Sequence, residues 1–172
     1  NPPGARWTCA LANLQSELFR EPLPLADLAA FVRSCMKSEE GLRLFARPRV
    51  EDDLLFQTAS VHSGAAGCGS CDRKFLVDRK ARAVAEQRVF TGSIVSCESI
   101  RSTLNAKLRD KAVEIKDEKL LCFEAEAHGV AAVAAVRYVV IRGIQGYADS
   151  HFNKAWEGFA AASAAALARC LI

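Results

Sequence analysis

The sequence predicts an α/β domain, a sheet with helices on its faces. Three observations lead there: three short apolar runs rich in β-branched residues in the second half, a helix-spaced pattern after each, and a length that suits one core. At 172 residues the chain has room for one domain rather than two independent ones. Within that domain, 1–38 reads as helical, 39–87 as a loop-rich insertion and 88–172 as a strand–helix core.

Taken in order, residues 5–20 place Trp7, Leu11, Leu14 and Leu18 at helical spacing. Leu25, Leu28, Val32 and Cys35 repeat the pattern beyond Pro22 and Pro24, which predicts two amphipathic helices. From 39 to 80 the periodicity fades. Pro48, the acidic triplet Glu51, Asp52, Asp53 and a Gly-rich stretch over 63–70 read as an insertion or extended loop. RVFTGSIVS over 88–96 then reads as a strand, with Ile100, Leu104 and Leu108 opening a helix behind it. KLLCF over 119–123 is a second strand, and 124–135 is Ala-rich, which suits a helix packed closely on a sheet. RYVVI over 137–141 is a third strand ending at Arg142 and Gly143, and 154–170 carries Trp156, Phe159, Ala160, Ser163, Leu167 and Cys170 on one helical face. Ligands of such sheets bind beyond the carboxyl ends of the strands, here 96–101, 124–126 and 143–149.

Composition excludes several classes. Hydrophobic residues make up 51% and charged residues 25%, too apolar for a disordered chain. The longest apolar run is broken by Arg137 and falls short of the roughly 18 residues that span a bilayer, so no membrane partner is expected. A net charge of +3 is too small to imply nucleic acid. Seven cysteines, most of them inside apolar patterns, predict a reduced, cytoplasmic protein with mostly buried thiols. The chain opens Asn1-Pro2-Pro3 without a basic-then-apolar leader and reads as an excised piece. No G-x-S-x-G, Walker loop or G-x-G-x-x-G accompanies His128 or His151, which sets serine hydrolase and nucleotide-triphosphatase readings aside. The cations Arg73, Lys74, Arg79, Lys80, Arg82 and Arg88 are diluted by Asp72, Asp78 and Glu86 and read as a solvated face.

His62-x5-Cys68-x2-Cys71 invites a metal reading, because CxxC plus a histidine supplies three ligands at zinc-like spacing. No fourth ligand is evident in the sequence. An equally good reading is a flexible Gly-rich loop with exposed thiols.

The three strand ends carry a resemblance. GSIVSCESI (92–100), LCFEAEAHG (121–129) and VVIRGIQGYADSHFNKAWEGFAAASAAALA (139–168) resemble the carboxyl-terminal half of the nucleoside and uridine phosphorylase superfamily. The likeness is to the version found at the amino end of fungal NACHT, ankyrin and tetratricopeptide-repeat proteins. NPPGARW at the start, LFARP over 44–48 and the His62/Cys68/Cys71 spacing are similar to the same branch, so the resemblance covers essentially the whole chain. It implies a three-layer αβα sandwich around a mixed sheet, of which this chain is the second half. The first half would carry the glycine-rich loop for phosphate or the 5′ side of the ribose.

Cleavage of an N-glycosidic bond passes through a ribosyl cation-like state and needs a carboxylate on the ribose hydroxyls and a proton donor for the departing base. The resemblance places Glu126 on the hydroxyl-binding glutamate, with Glu124 its upstream neighbour and Ala125 where the family has a methionine under the ribose. On residue chemistry alone, both acids read as solvated groups in the first turn of a helix, and it is the resemblance that points Glu126 to a ribose site. The base pocket would be lined by Ser96, Cys97 and Glu98, where the family has a Gly-containing turn, and by Ile100, which reads as well as core. The acid that protonates the base is replaced by Gly146, and Asp149 is expected to cap or order the final helix.

Glycine donates no proton, so an efficient nucleosidase is not expected. Two readings follow: a pentosyltransferase or N-ribohydrolase module acting on purine or other nucleosides, with or without phosphate, or a non-catalytic nucleoside-sensing module attached to an effector region. A truncated fragment is the blander third. Family members are commonly oligomeric, which makes a homo-oligomer an expected partner.

Overall fold

A computed structural model describes residues 25–64, 67–79, 88–100, 103–115, 120–127, 129–130 and 138–171. The helix expected over 5–20 therefore lies outside the described residues. The second is helix α1 (Leu25–Cys35). Helix α2 (Glu39–Leu44) follows at once, because the Ser38 hydroxyl accepts the Gly41 N–H at 3.1 Å and Glu39 and Glu40 meet the positive end of the helix dipole. Both pack on helix α4 (Ala155–Leu171). Val32 and Ala162 are the buried pair, with Phe31, Met36, Leu42, Phe45, Phe159 and Ala166 around them.

Small residues set the distances on α4. A Cβ on Gly158 would lie 2.0 Å from the Leu44 carbonyl oxygen, and one on Gly143 would lie 1.9 Å from that of Ala160. The backbones touch where only glycine allows it.

Strand β1 (Ser93–Ser96), helix α3 (Thr103–Glu114) and strand β2 (Leu120–Glu124) form a strand–helix–strand unit with the strands parallel. The register pairs Ile94 with Cys122, Val95 with Phe123 and Ser96 with Glu124, so the two carboxyl ends lie side by side. Asn105 of α3 is buried and donates to the Ser99 and Ile100 carbonyls at 2.7 and 2.9 Å, which fixes the turn after β1.

Three expectations need correction. The strand expected over 88–96 is confined to Ser93–Ser96, because its partner β2 is only five residues long. The strand expected over 137–141 does not form at 138–141. Those residues are half-buried but have no neighbouring strand among the described residues to take their N–H and C=O groups, and β-branched content marks burial rather than a ladder. The helix expected from 124 starts instead after β2, with Ala127 helical and 131–137 outside the described residues.

The stretch read as a loop is organised. It carries α2, 3-10 turns at Val50–Asp52 and Arg73–Phe75, and an antiparallel bridge between Phe56 and Leu76. Gln57 N–H donates to the Phe75 carbonyl and Val77 N–H to that of Leu55, each at 2.9 Å. Phe56 is fully buried. Among the six cysteines in described segments none is in a disulfide, and only Cys71 is buried, fewer than the apolar patterns predict.

Candidate metal centre

The bridge at Phe56 and Leu76 holds open a loop that folds back on the segment before α4. His62 N–H donates to the Ser150 hydroxyl at 3.0 Å, and the rings of Phe56 and His151 stack with centroids 3.9 Å apart. Gly64 and Gly67 take the left-handed backbone, with φ of 106° and 67°, that turns the chain from His62 back to Cys68. Cys71 N–H then donates to the Cys68 carbonyl at 3.3 Å, closing the CxxC turn.

These contacts bring four donor atoms together. His62, Cys68, Cys71 and His151 each offer one, all within 4.8 Å of one another. His62 Nδ1 lies 3.3 Å from Cys71 Sγ and 3.9 Å from Cys68 Sγ, and His151 Nδ1 lies 3.8 Å from Cys68 Sγ. A tetrahedron with Zn–S of about 2.3 Å and Zn–N of about 2.0–2.1 Å requires ligand separations of about 3.3–3.8 Å. Three of the donor pairs stand close to those separations, and all four atoms lie within 4.8 Å of one another. His151 Nε2 faces the Ser60 carbonyl at 3.1 Å, which leaves Nδ1 as the lone-pair nitrogen toward the cysteines, the outer hydrogen bond a metal-bound histidine makes.

Metal binding at this cluster would be coupled to proton release. Burial, followed by the adjacent Cys71 sulfur, pushes the Cys68 thiol up to about 11. In the metal-free chain Cys68 is therefore a neutral thiol at pH 7, and a divalent ion would have to displace its proton and would neutralise the thiolates so formed. His62, Cys68 and Cys71 are thus joined, and the fourth member, unseen in the sequence, is His151.

Around the cluster, Arg79 ion-pairs with Asp53 at 2.8 Å, Tyr147 OH donates to Asp53 Oδ1 at 2.6 Å, and Trp156 Nε1 reaches the Asp52 carbonyl at 3.4 Å. Arg79 is therefore half-buried and paired rather than part of a solvated face. Asp149 does not cap the final helix. Asn153 does, its Oδ1 accepting from Ala155 N–H at 3.0 Å, while Asp149 is 7% exposed and bonds to the His151 backbone and to Arg109.

Of the residues expected around a nucleoside, Cys97 is joined to Asn105 in the first turn of α3. Ser96, Cys97 and Glu124 meet at the paired strand ends, with Cys97 N–H donating to the Glu124 carbonyl at 2.8 Å. The Cys97 sulfur is turned to the Asn105 amide at 3.5 Å, Ile100 is half-buried, and Glu98 and Ala125 are exposed. Glu124 is 0% exposed; its Oε2 accepts the N–H groups of Glu126 and Ala127 at 2.7 Å each, and Oε1 is buried without a hydrogen-bond partner among the described residues. Glu126 is exposed and its Oε2 pairs with Arg142 at 2.5 Å. Gly146 is exposed, with open space where a Cβ would stand.

Among the described residues no helix is long and apolar enough to cross a membrane. No family model matches the sequence, and no solved structure matches it. Over 135 residues the chain is 37% identical to a nucleotide-binding leucine-rich repeat (NLR)-like protein of Hyaloscypha variabilis, a match that takes in 78% of this chain and 13% of that protein. The chain is thus similar to one short segment of a much longer fungal NLR-like protein.

Proposed function

We propose that this chain is the second half of a nucleoside phosphorylase-like domain that has lost efficient catalysis and serves a fungal NLR-like protein as a nucleoside-recognising or signalling module, kept in shape by zinc at His62, Cys68, Cys71 and His151. A three-layer sandwich and a cytoplasmic location belong to the same reading. Its support is the parallel β1–α3–β2 unit, whose adjacent strand ends gather Ser96, Cys97 and Glu124. The observation that carries the loss of catalysis is the state of the acids: Glu124 is consumed in holding the turn after β2, Glu126 is held by Arg142, and position 146 has no side chain. Loss of a leaving-group acid alone costs about 10²–10⁴ in rate. The zinc would be structural, since four protein ligands leave no position for a substrate or water.

Isothermal titration with adenosine, inosine and uridine, beside a Gly146→Asp variant and with chromatography for free base, tests this reading. The expected outcome is binding without turnover by the native chain and measurable base release by the variant, for whose carboxylate there is open space. Turnover by the native chain would make it an N-ribohydrolase or, with phosphate, a phosphorylase. Absence of binding by both proteins would end the nucleoside reading.

A further inference from the structure

The geometry points to Asp149 and Arg109 as the positioning residues of the metal centre, preset by helix α3 rather than by the loop that carries the cysteines. This rests on the reading that the four-donor cluster holds zinc. His151 is separated from Cys68 by 83 residues and lies in no regular element, so something must hold it in place. The Asp149 carboxylate does so on one side: Oδ1 accepts the His151 N–H at 2.9 Å and Oδ2 accepts from Arg109 Nη1 at 3.1 Å. The same guanidinium nitrogen donates to the Tyr147 carbonyl at 2.6 Å, so Arg109 grips both ends of a three-residue turn. Between them Ala148 has φ of 59°, a left-handed backbone that a residue with a Cβ rarely adopts. Such a conformation persists when its surroundings over-determine it. With the His151 backbone fixed from Asp149 and its Nε2 held at Ser60, Nδ1 has one direction left, toward Cys68.

Charge supports the assignment. Arg109 cancels the carboxylate, and a divalent ion cancels the two thiolates, so the loaded centre buries no net charge. Remaining bonds of Arg109 go to Asp110 at 2.8 Å and to the Thr58 hydroxyl at 3.4 Å, which ties α3 to the loop side as well.

The test is a zinc-affinity measurement by chelator competition on the whole chain, native and variant, with the cobalt(II) absorption spectrum as a reading of ligand geometry. The native chain is expected to bind one zinc and to give a tetrahedral cobalt spectrum; a chain that does neither defeats the zinc reading itself. Asp149→Ala and Arg109→Ala are each expected to lower zinc affinity about 10–100-fold, the usual effect of losing an outer-shell partner. Asp149→Asn keeps an oxygen for the His151 N–H and is expected to retain more affinity than the alanine variant. A purely structural role would lower the melting temperature of zinc-loaded and chelator-treated protein equally; a positioning role shrinks the increment that zinc adds. Native affinity and an unchanged increment in either alanine variant would overturn the assignment. Should Asp149→Ala fail to fold, Arg109→Ala decides.

Discussion

Glu124 shows what one carboxylate does when it is withdrawn from solvent at a strand end. Burial pushes its pKa up, but the hydrogen bonds from Ser96, Ala127 and Glu126 and the charge of Arg142 pull it further down, so it lies below the ordinary carboxylate range. A depressed folded-state pKa contributes stability that is present above the unfolded value of about 4.3 and is lost as pH falls through the folded value. Glu124→Gln is therefore expected to lose about 1–3 kcal/mol at pH 7, with the difference from the native chain closing as the pH drops below about 4. Urea denaturation at pH 7 and in the acid range checks this, and a difference that does not change with pH would refute it. The sequence places Glu124 and Glu126 alike in the first turn of a helix. Only the register of β2 decides that one is buried and the other faces Arg142. His151 was hidden for a similar reason: a ligand 83 residues from its partner leaves no local spacing to read. The sequence offers His128, His151 and five further cysteines to complete a set begun by His62 and the CxxC pair, and only the fold selects His151.

At the scale of elements, the contact of α2 with α4 depends on Gly158. Alanine there would gain up to about 1 kcal/mol of helix propensity, but its Cβ would meet the Leu44 carbonyl at 2.0 Å, and overpacking of that kind costs about 1–3 kcal/mol. The obstacle is backbone, so overpacking wins. Gly158→Ala is expected to lower stability by about 1–2 kcal/mol in chemical denaturation, and a stabilised variant would contradict the close approach. Helices α1 and α4 were legible from helix-spaced apolar residues and strand β2 from a short continuous apolar run. The run at 138–141 is no strand because apolar, β-branched composition reports burial without reporting a partner. The order within the loop-rich insertion was not legible. Its order comes from the Phe56–Leu76 bridge and from contacts with 147–156, all of them long-range, and such order leaves no local period.

For the molecule as a whole, a metal at the four-donor cluster makes folding depend on zinc. Free zinc at a thousandfold excess over its Kd adds about 4 kcal/mol, which for a chain of this size corresponds to a rise in Tm of about 8–16 °C. Thermal melts with zinc and with a chelator are expected to differ by this order, and identical melts would show that the cluster is not a structural site.

Cys71 and His151 bracket the whole β1–α3–β2 unit. An ion shared between them turns that stretch of chain into a ring. A ring cut once is still one piece: a protease that nicks the backbone anywhere between the two ligands leaves fragments still tethered through the metal, and chelation severs that tether.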